Sequence, residues 1–197
     1  GAERIVNGVA LWPRTNSKRR DPGGPACLPD MEQKGLGGPL SPTSNDEHWR
    51  RSKALPIDRL AAPDCALFLW IILSHASGGL DVMDAWGFSF KTVAFVWIKL
   101  NRKSSGLFTG MGYWTRANAE VCLLATRGHP KRVCRNVHQV IISHVEEHSK
   151  KPEEARRRIE ALRGDVPRVE LFARQTPPGW DVWGNEVSST FQMADYI

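Results

Sequence analysis

The chain has 197 residues, of which 41% are hydrophobic, and this suits one domain with its own hydrophobic core. Its longest apolar run, residues 65–73, has the length of a strand, so no membrane-spanning helix is expected. No charged segment followed by an apolar stretch opens the chain, so we expect a cytoplasmic protein.

Residues 1–54 are rich in glycine, proline, arginine and serine and show no sustained hydrophobic period. Such a composition predicts a loop or disordered segment, in which residues 5–6 and 9–12 could form one short strand. Regular patterning begins at Leu55, so we divide the chain into an irregular segment over 1–54 and a core over 55–197.

Apolar runs alternate with helical patterns through the core. A helix that ends at Gly87 follows the first strand, and another extends from Pro152 to Gly164, with Ala155, Ile159 and Leu162 on one face. Strands are predicted at residues 66–72, 92–98, 120–126, 139–142, 169–173 and 181–183. This alternation predicts an α/β domain with a mostly parallel sheet.

Residues 144–148 match His-x-x-Glu-His, a pattern of some zinc peptidases. That chemistry needs both histidines on one helical face, but a β-branched run precedes this segment and no third ligand stands out. The four cysteines also fit no zinc-module spacing. We therefore predict no metal site and keep the zinc peptidase as an outside alternative.

Four groups of basic residues and a net charge of +6 favour a polyanionic partner. The groups are Lys18, Arg19 and Arg20; Arg50, Arg51 and Lys53; Lys99, Arg102 and Lys103; and Arg127, Lys131, Arg132 and Arg135. Each group alone fits a solvated loop, whereas the four together favour nucleic acid.

Two further segments suggest nucleotide contacts. Tyr113, Trp114 and Arg116 follow a glycine-rich stretch, where they would either stack on a base and pair with phosphate or anchor the loop to the core. Asn185 and Glu186 follow the last predicted strand, where they would either hydrogen-bond ribose hydroxyls or cap the strand end.

In this order, these segments resemble the adenine N(6)-methyltransferases related to the catalytic subunit of the eukaryotic mRNA adenosine methyltransferase. The resemblance covers roughly residues 55–187 and is closest in appearance to compact phage and bacterial members, taken to modify DNA. The stretches that carry it are 67–70, 86–88, 95–99, 110–116, Glu120, 125–128, 147–153, 170–174 and 179–186.

The resemblance implies a Rossmann-like methyltransferase fold with its motifs in permuted order, catalytic motif early and cofactor motif late. It implies S-adenosyl-L-methionine as cofactor, with Asn185 and Glu186 at the ribose, Lys151 at the methionine carboxylate, and Arg174 near the cofactor or substrate strand. The substrate side would comprise Tyr113, Trp114, Arg116, Glu120 and Lys99. Nucleic acid, DNA in preference to RNA, is the implied substrate; a dimer or a partner subunit is compatible, and a membrane is not expected.

The family carries Asp-Pro-Pro-Trp at the end of its first strand, where a carboxylate and a carbonyl accept the hydrogens of the adenine amine. By position, Asp21 and Pro22 match this motif, whereas Gly23 and Gly24 replace the second proline and the aromatic residue. Two hypotheses follow. The protein is either an active methyltransferase that uses Asp21 and Pro22, or a non-catalytic relative that binds nucleic acid or a partner subunit.

Overall fold

The computed structural model of the protein describes residues 9–11, 49–112, 114–146 and 150–197, and within them seven strands form one sheet. The strands are β1 (Val9–Leu11), β2 (Cys65–Ile71), β3 (Ser89–Leu100), β4 (Ala119–Arg127), β5 (Val140–His144), β6 (Val169–Leu171) and β7 (Asp181–Trp183). The helices are α1 (Ile57–Leu60), α2 (Ala76–Ala85) and α3 (Glu153–Arg163), with short 3-10 turns at Leu73–His75 and Met193–Tyr196. Residues 49–53 are also helical. The strands and helices predicted for the core are therefore confirmed, as is the short strand near residue 9.

The strand order is β5-β3-β4-β2-β1-β6-β7. Two neighbouring pairs, β3 with β5 and β6 with β7, are parallel, and the other four pairs are antiparallel. The prediction of a mostly parallel sheet was therefore wrong. The physical reason is that β1 and β4 run opposite to the other five strands and each lies between two of them, so that two reversed strands create four antiparallel pairs.

Five strands nevertheless share one direction, and this direction defines two edges of the sheet. We call the edge where β2, β3, β5, β6 and β7 end the carboxyl edge, and the opposite edge the amino edge. Ala119, the first residue of β4, pairs with Ile98 near the end of β3, so β4 begins at the carboxyl edge. Arg127, the last residue of β4, pairs with Cys65 at the start of β2, so β4 ends at the amino edge.

The core is built around β2, in which all seven residues are buried. A strand buried on both faces has no polar alternation, which is why its sequence is one continuous apolar run. Helix α3 covers the sheet with Ala155 and Ile159, both buried as predicted, whereas Leu162 is only partly buried and Arg163 takes the buried position instead.

The helical residues 49–53 pack against α2. A Cβ atom on Gly78 would lie 2.3 Å from Cε2 of Trp49, so the indole ring occupies the space that a side chain would need. Trp86 is fully buried at the end of α2, and its Nε1 donates a hydrogen bond of 3.0 Å to the Ser52 carbonyl. Gly87 follows with a φ of 76°, which ends the helix as predicted.

No helix in the described ranges is long and apolar enough to cross a membrane.

Candidate cofactor and substrate site

Three charged side chains from separate segments meet at the carboxyl edge. Glu120 lies at the start of β4, and its Oε1 is 2.5 Å from Nζ of Lys99 near the end of β3. Its Oε2 accepts a hydrogen bond from Nζ of Lys151, which lies between β5 and α3. One carboxylate thus bridges two ammonium groups, and the cluster keeps a net charge of +1, from two positive charges and one negative.

The environment changes the acidity of this cluster. Burial by itself raises the pKa of Glu120, but the positive charges and hydrogen bonds of Lys151 and Lys99 outweigh it and hold the pKa below its ordinary value. Burial lowers the pKa of Lys151, and the negative charge of Glu120 opposes that shift. The carboxylate is therefore ionised at neutral pH and holds both lysines in place.

Aromatic rings surround the two ammonium groups. Nζ of Lys99 lies 5.1 Å from the ring centroid of Trp97 and 5.9 Å from that of Phe108, within the range of a cation–π contact. Nζ of Lys151 lies 5.8 Å from the ring centroid of Trp70, near the end of β2. These rings limit access of water, which strengthens electrostatic interactions inside the cluster.

The loop between β3 and β4 extends from this cluster into solvent. A bridge between Gly110 and Ala117 closes it, and a Cβ atom on Gly112 would lie 1.7 Å from the Thr115 carbonyl oxygen, so only glycine fits that position. Beyond the bridge, Trp114 is 90% exposed and Arg116 is also exposed. Trp114 therefore does not anchor the loop to the core, which was one of its two predicted roles. Tyr113 lies outside the described residues.

A second group of polar side chains follows the neighbouring parallel strands β6 and β7. Nε of Arg174 donates a hydrogen bond of 2.7 Å to Oε2 of Glu186, and Asn185 is exposed beside this pair. The backbones approach closely here, because a Cβ atom on Gly184 would lie 2.4 Å from the Ala173 carbonyl oxygen. Only a residue without a side chain permits this approach between the two strand ends.

The predicted site residues thus fall into two groups at one edge. Lys99, Glu120 and Lys151 contact one another, and so do Arg174 and Glu186. Two strands, β2 and β1, lie between β4, which carries Glu120, and β6, which precedes Arg174, so at a spacing of about 4.8 Å per strand the nearest members of the two groups are roughly 15 Å apart across the sheet.

Two other predicted residues, Asp21 and Pro22, lie outside the described residues. Sequence reasoning also missed the aromatic surroundings of the lysines, formed by Trp70, Trp97 and Phe108. The available signal was that Trp70 and Trp97 both lie within two residues of the end of a predicted strand, at the edge where Lys99 was already suspected.

The histidine of the zinc-peptidase pattern that the structure describes is not on a helix. His144 is the last residue of β5, and its Nδ1 is 2.6 Å from the Asn101 carbonyl oxygen. The other two residues of the pattern, Glu147 and His148, lie outside the described residues. Within the described ranges, no group of three or more histidine, cysteine, aspartate or glutamate side chains is arranged to hold a metal ion.

The donor set suits a ligand that joins a nucleoside to an amino acid. The net positive cluster at Lys151 suits a carboxylate, and the exposed amide of Asn185 with the carboxylate of Glu186 suits ribose hydroxyls. Ligands of open α/β sheets bind outside the carboxyl ends of the strands, where both groups lie. Fold and site together define an α/β domain with two groups of polar side chains at the carboxyl edge of its sheet.

Comparison with known proteins is consistent with that class and identifies the family. The MT-A70 family model matches residues 42–186, which is most of the chain, and the protein therefore belongs to the MT-A70 family. This confirms the family resemblance seen in the sequence.

Three relatives illustrate the range of the family. The Type II methyltransferase M.MunI of Mycoplasma sp is 33% identical over 135 residues, which cover 68% of this chain and 55% of that protein. A putative N(6)-adenosine-methyltransferase MT-A70-like protein of Medicago truncatula is 35% identical over 127 residues, covering 62% and 20%. The human N(6)-adenosine-methyltransferase catalytic subunit METTL3 is 29% identical over 149 residues, covering 74% and 25%. The chain thus matches about half of the Mycoplasma protein and a quarter or less of the other two.

Proposed function

We propose that the protein is an S-adenosyl-L-methionine-dependent methyltransferase that acts on the exocyclic amine of adenine in nucleic acid, and on DNA in preference to RNA. The observation that carries the proposal is the convergence of two polar groups, separate in the sequence, at the carboxyl edge of one sheet. Relatives named as adenosine methyltransferases and as a Type II methyltransferase support the choice of reaction.

In this proposal the cofactor lies along the carboxyl edge. Lys151 binds the methionine carboxylate, with Glu120 holding the lysine in position from the opposite side. Asn185 and Glu186 bind the ribose hydroxyls, and Arg174 orients Glu186 through their hydrogen bond. When bound, the cofactor supplies an activated methyl group.

The nucleic acid would approach from the loop between β3 and β4. Trp114, with Tyr113 beside it in the sequence, offers an aromatic face for an extruded base, and the exposed Arg116 offers positive charge to the phosphates. Lys99 would contribute on this substrate side through the net positive charge of its cluster with Glu120 and Lys151. The preference for DNA rests on the resemblance to compact bacterial and phage members.

The catalytic role falls to Asp21 and Pro22. The amine of adenine donates its lone pair into the ring and is a weak nucleophile. A carboxylate and a backbone carbonyl that accept the amine hydrogens free this lone pair for attack on the methyl carbon. We further propose a Rossmann-like methyltransferase fold with permuted motifs, in which residues 1–54 carry the catalytic motif and residues 55–197 form the core.

One observation favours a second candidate, a non-catalytic relative that binds nucleic acid or a partner subunit. β1 is antiparallel to β2 and to β6, so its last residue, Leu11, lies opposite Val169 at the amino edge. The end of β1 therefore lies at the edge opposite the candidate site. In a strand parallel to β2 and β6, the following residues would emerge beside the site.

Cofactor binding is tested by calorimetric titration of adenosylmethionine into the protein. Lys151→Met should weaken binding by about 1.5–3 kcal/mol, the value of a charge-assisted hydrogen bond, which is about 10- to 100-fold in Kd. Lys150→Met is the matched control, because Lys150 pairs with the exposed Glu146 and not with the cluster. Equal affinity of both variants and the parent protein would contradict the placement of the cofactor.

Catalysis is tested by transfer of labelled methyl groups to unmethylated DNA and RNA. The proposal expects transfer to adenine that Asp21→Ala abolishes without a change in cofactor affinity. Cofactor binding without transfer to any substrate would instead support the non-catalytic relative.

A further inference from the structure

A loop rich in basic residues begins at the amino edge, away from the candidate site. Arg127 ends β4, and the chain then passes through residues 128–139 before β5. From Ala119 to Arg127 the strand rises about 3.4 Å per residue, so the two ends of β4 are about 27 Å apart. The loop and the Lys99–Glu120 cluster therefore occupy opposite edges of the sheet.

Two backbone contacts fix the loop on the body of the protein. The amide of His129 donates a hydrogen bond of 2.7 Å to Oδ1 of Asp64, and the amide of Val133 donates one of 2.8 Å to the Leu162 carbonyl at the end of α3. Gly128, with a φ of 60°, makes the turn from β4 into the loop. The backbone of this loop is therefore fixed before binding, and this lowers the entropy cost of binding through its basic side chains.

The cations of this loop differ in their partners from three arginines elsewhere in the core. Arg156, Arg168 and Arg174 each pair with a carboxylate. By contrast, Lys131, Arg132 and Arg135 are exposed and form no ion pair within the described ranges. Their charges are therefore available to an external anion.

Helix α1 adds to the same charge. The guanidinium of Arg127 donates a hydrogen bond of 2.6 Å to the Asp58 carbonyl oxygen, which places the end of β4 against α1. The next residue, Arg59, is exposed, and its guanidinium donates a hydrogen bond of 3.3 Å to the Tyr196 carbonyl oxygen. We call the following set the amino-edge basic surface: Arg59, Arg127, Lys131, Arg132 and Arg135. Three carboxylates lie near it, those of Asp58 and Asp64 and that of Asp165, which follows Gly164 beside Val133, so five positive and three negative charges leave a net charge of +2.

We propose that the amino-edge basic surface binds the phosphate backbone of nucleic acid, as a second contact separate from the target-base site. The choice of nucleic acid as the polyanion rests on the proposed function. The surface lacks exposed aromatic side chains, so it reads charge and not sequence. Because it lies on the opposite edge from the candidate site, it engages a different stretch of the polymer.

The test uses a duplex of guanine and cytosine alone, which contains no adenine for the target site, and omits the cofactor. Binding is measured by fluorescence anisotropy between 50 and 200 mM salt. The neutral variant carries Lys131→Gln, Arg132→Gln and Arg135→Gln, and the charge-retaining control carries Lys131→Arg, Arg132→Lys and Arg135→Lys. All three side chains are exposed, so both variants should fold, and their circular dichroism spectra and Tm check this.

Each phosphate contact contributes about 0.9 to the slope of log affinity against log salt, so the neutral variant should lose about 2.7 from the slope. The ratio of the parent protein's affinity to that of the neutral variant should then fall by about 40-fold across the fourfold range of salt. The charge-retaining control should keep the parent slope. An unchanged slope and affinity in the neutral variant would overturn the inference.

Two further outcomes would separate this proposal from its alternatives. Tighter binding of phosphatidylserine vesicles than of the duplex, lost in the neutral variant, would overturn the assignment to nucleic acid. Failure of methyl transfer, with the slope change present, would remove the proposed function and leave the second contact standing.

Discussion

Replacing Glu120 by glutamine removes the one negative charge between two lysines without a large change in shape. The side chains of Glu120, Lys99 and Lys151 are only 18%, 17% and 13% exposed, so water replaces little of the lost interaction. Breaking a buried ion pair by removing one partner costs about 3–5 kcal/mol. Since these side chains keep some contact with solvent, we expect a loss of about 3 kcal/mol at pH 7. For a chain of this length, that lowers Tm by about 6–12 °C.

The measurement is thermal unfolding followed by circular dichroism, repeated from pH 7 to pH 3. The positive neighbours hold the pKa of Glu120 below its ordinary value, so its contribution to stability is present above the pKa of the unfolded chain. That contribution is lost as the pH falls through the lower pKa of the folded state. The difference in Tm between the parent protein and Glu120→Gln should therefore shrink in acid.

The matched control is Glu146→Gln. Glu146 also pairs with a lysine, Lys150, but its side chain is 51% exposed, and such pairs contribute less than about 1 kcal/mol. The reasoning is refuted if both variants unfold at the parent Tm at pH 7, or if the deficit of Glu120→Gln persists undiminished at pH 3.

Three further predictions concern packing, the sheet edge and the thiols. Gly78→Ala should lower the free energy of unfolding by about 1–3 kcal/mol in urea titrations, because the new methyl group overlaps the Trp49 ring; an unchanged midpoint would contradict this packing. Arg158→Ala should increase self-association in sedimentation velocity, because the guanidinium donates to two carbonyls, both at 2.7 Å, in and next to the edge strand β5; a monomer at every concentration tested would refute that role. Cys122 should react with a thiol reagent only on unfolding, because burial raises the pKa of its thiol, whereas the partly exposed Cys134 should react in the folded state; fast native labelling of Cys122, read by mass spectrometry, would contradict this.

The local patterns of the core predicted its six strands and its two longer helices correctly, but not the short helix α1. β2 follows from an unbroken apolar run, and α3 follows from Pro152 at its start, Gly164 at its end and the apolar spacing between them. These signals are local, since they depend on backbone preferences and on burial of one face, and both are encoded within a few residues. The family resemblance is also a property of the sequence, and the match over residues 42–186 confirms it.

The direction of each strand relative to its neighbours is not encoded in local sequence patterns. An apolar run predicts a buried strand but carries no information on which neighbour it pairs with or in which sense. The insertion of β4 between β2 and β3, and the reversal of β1, are decided by long-range pairing, so the prediction of mostly parallel pairs failed.

The sequence by itself determined the elements, the family and the identities of the candidate side chains. Only the tertiary structure decided that Glu120 bridges Lys99 and Lys151, three residues separated by as many as 52 positions along the chain. It also decided that the basic residues after β4 lie at the opposite edge from this cluster. The physical reason is that the two ends of a strand lie at opposite edges of the sheet. Residues close in sequence can therefore be far apart in space, and residues distant in sequence can be in contact.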